Sequence, residues 1–248
     1  MPFFIDLTKL HRTRSLVAAL VGSLAAPLAS PLTGPLADAL ASPLAAQSPQ
    51  AQPTLSSLRL EDTDVFELDG RLSEPFWGRA VPIDDFKQRE PLEGVAATER
   101  TEVRVAWDDD NLYVGVHAFD SEPDAVVARL LQRDQILNAR GFGGLQFQGD
   151  DGVAIVLDPF DDDRNGFIFA TNPNGALFEA LLTDEGGQIN VDWQGVWQVA
   201  GTRTEDGWSA EFSIPFRTLR VPPDGRDWGL NVTRFVARKQ EQVLWTSW

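Results

Sequence analysis

Cysteine is absent from the 248-residue chain, and histidine, methionine and tyrosine are nearly so, at two, one and one residues. Without thiols there is no disulfide framework, thiolate nucleophile, cysteine-held zinc or iron–sulfur cluster. Two histidines, His11 and His117, leave little room for an imidazole metal site and give a Ser-His-Asp arrangement weak support. Basic charge is scarce too. Lys and Arg number 21 against 37 Asp and Glu, and the resulting net charge of −16 repels nucleic acid and anionic lipid. What the chain does have is 43% apolar residues, 16 Pro and 20 Gly, the composition of a turn-rich globular protein that can bury a core.

The first 46 residues read as a signal peptide and low-complexity leader. Lys9, Arg12 and Arg14 form a basic start, and the uncharged apolar stretch 16–26 is too short to cross a bilayer, which takes ~20 residues. Pro27, Pro31, Pro35 and Pro43 exclude a continuous helix there, and cleavage is expected near Ala41 or Ala46. Export follows, to the periplasm, the cell surface or the medium. Residues 47–57 read as a linker and 58–248 as one folded domain.

From about Leu58 the hydrophobic pattern has period two, the alternation of half-buried strands. In 101–107, Val103, Val105 and Trp107 share one face. Asp108-Asp109-Asp110-Asn111 supplies a turn, and 112–119 returns with Leu112, Val114, Val116 and Ala118 on one face, so the pair predicts an antiparallel hairpin. Strands are predicted again over 153–158, 166–171, 176–182, 207–214 and 228–236, with a last run at 242–248. Helical signal is thin: Ser73 heads a short turn to Ala80, and Ser121 with Asp124 predicts a helical start over 125–130. Many short strands and few helices make an all-β antiparallel sandwich, jelly-roll-like, with one or two short helices.

Three features are candidates for chemistry. Trp77, Trp107 and Trp208 lie at strand or motif positions where an indole fills a core, whereas Trp193 and Trp197 flank Gly195 after Gly186-Gly187, where a ring can stack on a ligand from a loop. Asp161-Asp162-Asp163-Arg164-Asn165-Gly166 begins like a calcium loop, but its twelfth position is Asn172 and strands flank it, so it reads as a hairpin turn. Gly141-Phe142-Gly143-Gly144 has no following Lys-Ser or Lys-Thr and is not a phosphate loop.

Ordered blocks along the chain resemble a known family. They are Asp69-Gly70-Arg71-Leu72-Ser73-Glu74-Pro75-Phe76-Trp77-Gly78, Val103-Arg104-Val105-Ala106-Trp107-Asp108, Asp151-Gly152-Val153-Ala154-Ile155-Val156-Leu157-Asp158, Gly207-Trp208-Ser209-Ala210-Glu211-Phe212 and Trp228-Gly229-Leu230-Asn231. Together they resemble family 9 carbohydrate-binding modules over about 60–248. Asn172-Pro173-Asn174-Gly175 and Asp192-Trp193-Gln194-Gly195-Val196-Trp197 are similar to a branch found at the front of bacterial outer-membrane barrel proteins, which implies a barrel after Trp248 that the sequence does not include.

The resemblance implies a sandwich with bound calcium and two aromatic rings that grip a sugar. One clamp position falls at Gln148, with Phe147 the nearest ring, and the other falls near Trp248. The family's acidic residue on the central strand is Ala154 here, and its arginine is Ala170. The expected carbohydrate-binding residues are therefore Trp193, Trp197, Phe147, Gln148 and Trp248, and Asp120, Glu122 and Asp158 are the expected oxygen ligands for a structural calcium. The expected partner is an oligosaccharide or polysaccharide bound without catalysis. Two other readings stand beside it: an accessory domain that docks on its own barrel or a protein partner, and a component of a glycoside hydrolase, which needs two converging carboxyls.

Overall fold

The computed structural model describes residues 10–12, 54–139, 145–220 and 227–245. Among them fifteen strands run in chain order: β1 (Leu10–Arg12), β2 (Leu58–Arg59), β3 (Lys87–Glu90), β4 (Thr101–Trp107), β5 (Asn111–Phe119), β6 (Leu137–Ala139), β7 (Leu145–Phe147), β8 (Gly152–Asp158), β9 (Gly166–Thr171), β10 (Phe178–Thr183), β11 (Gln188–Asn190), β12 (Gln198–Thr204), β13 (Gly207–Pro215), β14 (Trp228–Val236) and β15 (Glu241–Leu244). They form two large sheets and a small hairpin. The larger sheet has the order β11-β10-β9-β8-β14-β15-β3, with β1 beside β14; the smaller has β12-β13-β5-β4-β2; and β6 pairs with β7. The calcium-loop-like motif is the connection between β8 and β9, where Asp162 Oδ1 accepts the backbone N–H groups of Arg164 and Asn165.

The predicted alternation sets the faces. Val103, Val105 and Trp107 of β4, Val114 and Val116 of β5, and Trp208, Phe212 and Ile214 of β13 turn inward against Val153, Ile155 and Leu157 of β8, Phe167 and Phe169 of β9, and Trp228, Leu230 and Val232 of β14. Two sheets with apolar inner faces can bury them only against each other, so the sandwich follows from the pattern.

Both outer faces are covered as well. On the smaller sheet, Phe76 and Trp77 pack with Ala106 and Tyr113. A Cβ on Gly115 of β5 would stand 2.7 Å from Leu72 Cδ2 and 3.1 Å from the Trp77 ring, so this cover packs closely on a glycine. Glu211 of β13, fully buried, holds this cover in place. Its Oε1 accepts from Trp77 Nε1 at 3.0 Å, and its Oε2 accepts from the backbone N–H groups of Gly70 at 2.9 Å and Asp69 at 3.1 Å. The spacing from Asp69-Gly70 to Trp77 thus brings a turn and an indole to one carboxyl.

The outer face of the larger sheet carries Ala154, Ile168, Ala170, Phe178, Ala180 and Leu182 under Ile136 and Leu137. The segment that lays those two residues down departs from expectation. In place of a helix over 125–130 there is only a 3-10 turn at Pro123–Ala125, and the chain from 126 to 130 is neither helix nor strand. Tertiary partners take its backbone groups: Asp151 Oδ2 accepts from Val127 N at 2.7 Å, and Asp150 Oδ2 accepts from both Arg129 N and Leu130 N at 2.8 Å. A buried carboxylate that satisfies two successive N–H groups removes the need for an intrahelical ladder. Ser73 likewise gives way to a 3-10 turn at Pro75–Gly78 preceded by Glu74, and a short helix at Phe216–Leu219 follows Pro215 where only a strand end was expected.

Candidate functional site

The hairpin of β6 and β7 lies over the larger sheet. Gln148 N donates to the Ile136 carbonyl at 3.0 Å, and Gln242 Nε2 of β15 donates to the Leu145 carbonyl at 3.2 Å, so β7 is tied both to the segment before β6 and to the sheet's far strands. Phe147 lies flat against Phe235 of β14, with ring centroids 5.9 Å apart and planes 2° from parallel. A Cβ on Gly152 would come within 2.3 Å of the Phe147 ring, so the ring occupies the space a side chain would take. Gln148, next in sequence, points away from that contact and is exposed.

Gln148 lines an open depression of about 530 Å³ with Leu130, Asp134, Gln135, Leu137 and Asn138. The volume lies within the range of ~300–1,000 Å³ that small-molecule sites occupy. Its chemistry is a set of amides and one carboxylate over two leucines. Asp134 is held by its N–H to the Leu177 carbonyl at 2.9 Å, which anchors the wall to the sheet. Asn172, fully buried, braces the floor: its Nδ2 donates to the Leu130 carbonyl at 2.8 Å and to Asp150 Oδ2 at 3.0 Å.

The expected binding residues divide between two faces. Phe147 and Gln148 stand together on the outer side of the larger sheet, and Trp248 lies outside the described residues. Trp193 and Trp197 belong to the inner side. Trp197 is 5% exposed, lies parallel to Phe212 at 5.9 Å and meets Phe169 edge-on at 5.0 Å, so its ring is enclosed by the core. Trp193 is half-buried against Phe167 at 5.2 Å and has Gly195 close beneath it. The loop expected to offer both rings instead closes the mouth of the sandwich, because a gap between two twisted sheets is filled by the largest nearby apolar groups.

The expected calcium ligands are not brought together. Asp158 sits opposite Gly229 at one end of β14, whereas Asp120 and Glu122 meet Arg238, just past the other end of that strand. Seven residues of strand separate Gly229 from Val236, roughly 23 Å. Asp158 turns its carboxylate to the backbone N–H groups of Phe160, Asp162 and Asp163 at 2.9–3.0 Å. Among the described residues no group of three or more acidic or histidine side chains is placed to hold a metal ion.

Leu130, Asp134, Gln135, Leu137 and Asn138 were missed in the sequence. Leu130 ends the stretch read as a helical start, and the others follow it without period two or 3.6; aperiodicity between two strand runs was the one available signal.

A sequence profile described as carbohydrate family 9 binding domain-like matches residues 68–248. The chain belongs to that family. Solved structures with a similar fold include a family 9 carbohydrate-binding module from Caldicellulosiruptor kristjanssonii in complex with cellotriose, at 15% identity and a TM-score of 0.47, with 76% of this chain and 82% of that one covered. A protein from Bacteroides uniformis, to which carbohydrate binding is provisionally ascribed, aligns at 13% identity and a TM-score of 0.54, with 77% and 88% covered. At these identities the likeness bears on the fold alone. No curated protein sequence matches the chain significantly. The family 9 assignment accounts for the ordered blocks, which place Trp77 on Glu211 and the inward rows of β4, β8, β13 and β14 in one sandwich.

Proposed function

We propose that this family 9 domain binds a carbohydrate without chemically altering it, and that the depression beside β6 and β7 is where the sugar lies. The observation that carries the reading is the convergence of Gln135, Asn138, Gln148 and Asp134 over Leu130 and Leu137 in one open depression. A pyranose presents hydroxyls at fixed spacing and an apolar face of C–H groups; fixed amides and a carboxylate suit the former, and leucine the latter. Phe147, packed on Phe235 and over Gly152, fixes the strand end from which Gln148 reaches the depression. Glycoside hydrolysis calls for two carboxyls about the scissile bond, and among the described lining residues Asp134 is the single one, which favours binding over cleavage. An exported setting, from the basic and apolar leader, suits an extracellular or periplasmic glycan.

Calorimetric titration with cello-, xylo- and gluco-oligosaccharides tests the proposal. Saturable heat with at least one series is expected, reduced about tenfold in affinity or more by Gln148→Ala and by Asn138→Ala, a loss of roughly 1.4 kcal/mol. Binding that is unchanged in both variants rejects this location. No heat from folded protein with any of the three sugars counts against carbohydrate binding itself.

A further inference from the structure

The end of the sandwich past β14 holds a concentration of carboxylates that the protein fills by itself. Glu99 precedes β4, Asp120 and Glu122 follow β5, and the turn after β14 brings Arg238 and Lys239 among them. Arg238 Nη2 donates to Glu99 Oε1 at 2.5 Å and to Asp120 Oδ1 at 2.7 Å, while Nη1 donates to Glu122 Oε1 at 2.9 Å. Nε adds a second bond to Asp120 Oδ1 at 3.1 Å, and Lys239 Nζ stands 2.5 Å from Glu99 Oε1. Ser121 closes the ring, giving Glu99 its N–H at 2.8 Å and its hydroxyl at 2.7 Å.

A calcium ion needs six to eight oxygens at 2.3–2.6 Å with their lone pairs turned to one centre. Here the oxygens of three carboxylates are turned to one guanidinium. Asp120 Oδ2 is buried and keeps no hydrogen-bond partner, but a single acceptor is far short of a coordination shell. Both Asp120 and Glu99 are about nine-tenths or more buried, so their charge needs an internal cation to be kept out of water. Burial pushes Glu99 upward, but the Lys239 ammonium and the Ser121 hydroxyl and N–H more than offset that and hold it at about 2, fully ionised at neutral pH. The residues of this cluster do not fit a bound calcium.

We infer that Arg238, with Lys239, stands as the fixed cation of this acidic cluster and joins the two sheets there, so that this domain folds and keeps its stability without calcium. The bonds connect the turn after β14 of the larger sheet to the ends of β4 and β5 in the smaller, the same two strands that Arg234 reaches from within β14.

Thermal unfolding of the full chain in EDTA and in millimolar calcium, for wild type, Arg238→Ala and Arg238→Lys, tests the inference. The wild-type midpoint is expected to be the same in both solutions. Arg238→Ala in EDTA should unfold roughly 6–15 °C lower, as for a buried ion pair broken on one side in a domain of this size, and Arg238→Lys should recover part of that drop. A wild-type midpoint raised several degrees by calcium overturns the inference, since it needs only folded wild-type protein. So does an Arg238→Ala variant as stable in EDTA as the parent.

Discussion

Glu211 shows how one carboxyl can fix both a motif and a pH response. Burial is the largest influence on it and pushes it up to about 7, against the pull of Trp77 and the backbone N–H groups of Gly70 and Asp69. A raised carboxyl favours the protonated folded state, so its contribution is present in full below about pH 4.5 and is lost as pH rises through about 7, some 3 kcal/mol in all. Glu99, held at about 2, acts with the opposite sign: its contribution is present above about pH 4.5 and fades as pH falls toward 2. Denaturant melts at pH 5 and pH 8 should therefore show lower stability at the higher pH, and Glu211→Gln should flatten that difference whatever its absolute stability. Equal slopes in parent and variant would assign the effect elsewhere. Trp197 gives a second expectation at this scale. As a core ring against Phe212 and Phe169 it should cost roughly 3–5 kcal/mol of folding stability when replaced by alanine. The contrary result, a stable Trp197→Ala protein with lost sugar affinity, would return it to a binding role.

At the scale of elements, the segment 127–138 is attached to the larger sheet by Ile136 and Leu137 at one end and by polar groups at the other. Asp150, 1% exposed, accepts from Arg129 N, Leu130 N and Asn172 Nδ2, and Asp151 accepts from Val127 N. Asp150→Ala leaves two part-buried backbone donors without their partner and removes one of the two bonds of Asn172 Nδ2, about 1–3 kcal/mol for each donor that no water reaches. Amide exchange should accelerate over 127–138 in that variant while β5, β8 and β13 stay protected; uniform acceleration would mean that the segment is integral to the sandwich. The same elements mark where the sequence could be read. The inward rows of β4, β5, β8, β13 and β14 were legible because alternation by two is imposed along each strand itself. β12 was not: Gln198–Thr204 carries small and polar residues at a sheet edge, and its pairing with β13 is a long-range choice. The stretch 125–130 was misread because its local capping pattern lost to carboxylates about twenty residues away.

For the whole molecule, the sandwich was evident from strand pattern alone, but the location of the candidate site was not. Trp193 and Trp197 look alike in sequence to rings that stack on ligands, since a loop flanked by glycines is equally suited to filling the mouth of a core. Phe147 and Gln148 came from alignment with a family, and the depression beside them came from tertiary placement of residues without period. Calcium was expected from the same family; of its three expected ligands, Asp120 and Glu122 meet Arg238 while Asp158 lies at the other end of β14. The covers on the two outer faces also differ in kind. Trp77 and Glu211 lock one to β13 and β5 through the core motif, whereas the other carries the depression and rests on Asp150 and Asp151. An overlay of this sort is separable from the frame beneath it: the exposed residues of 130–138 can change while β8 and β14 keep every inward residue.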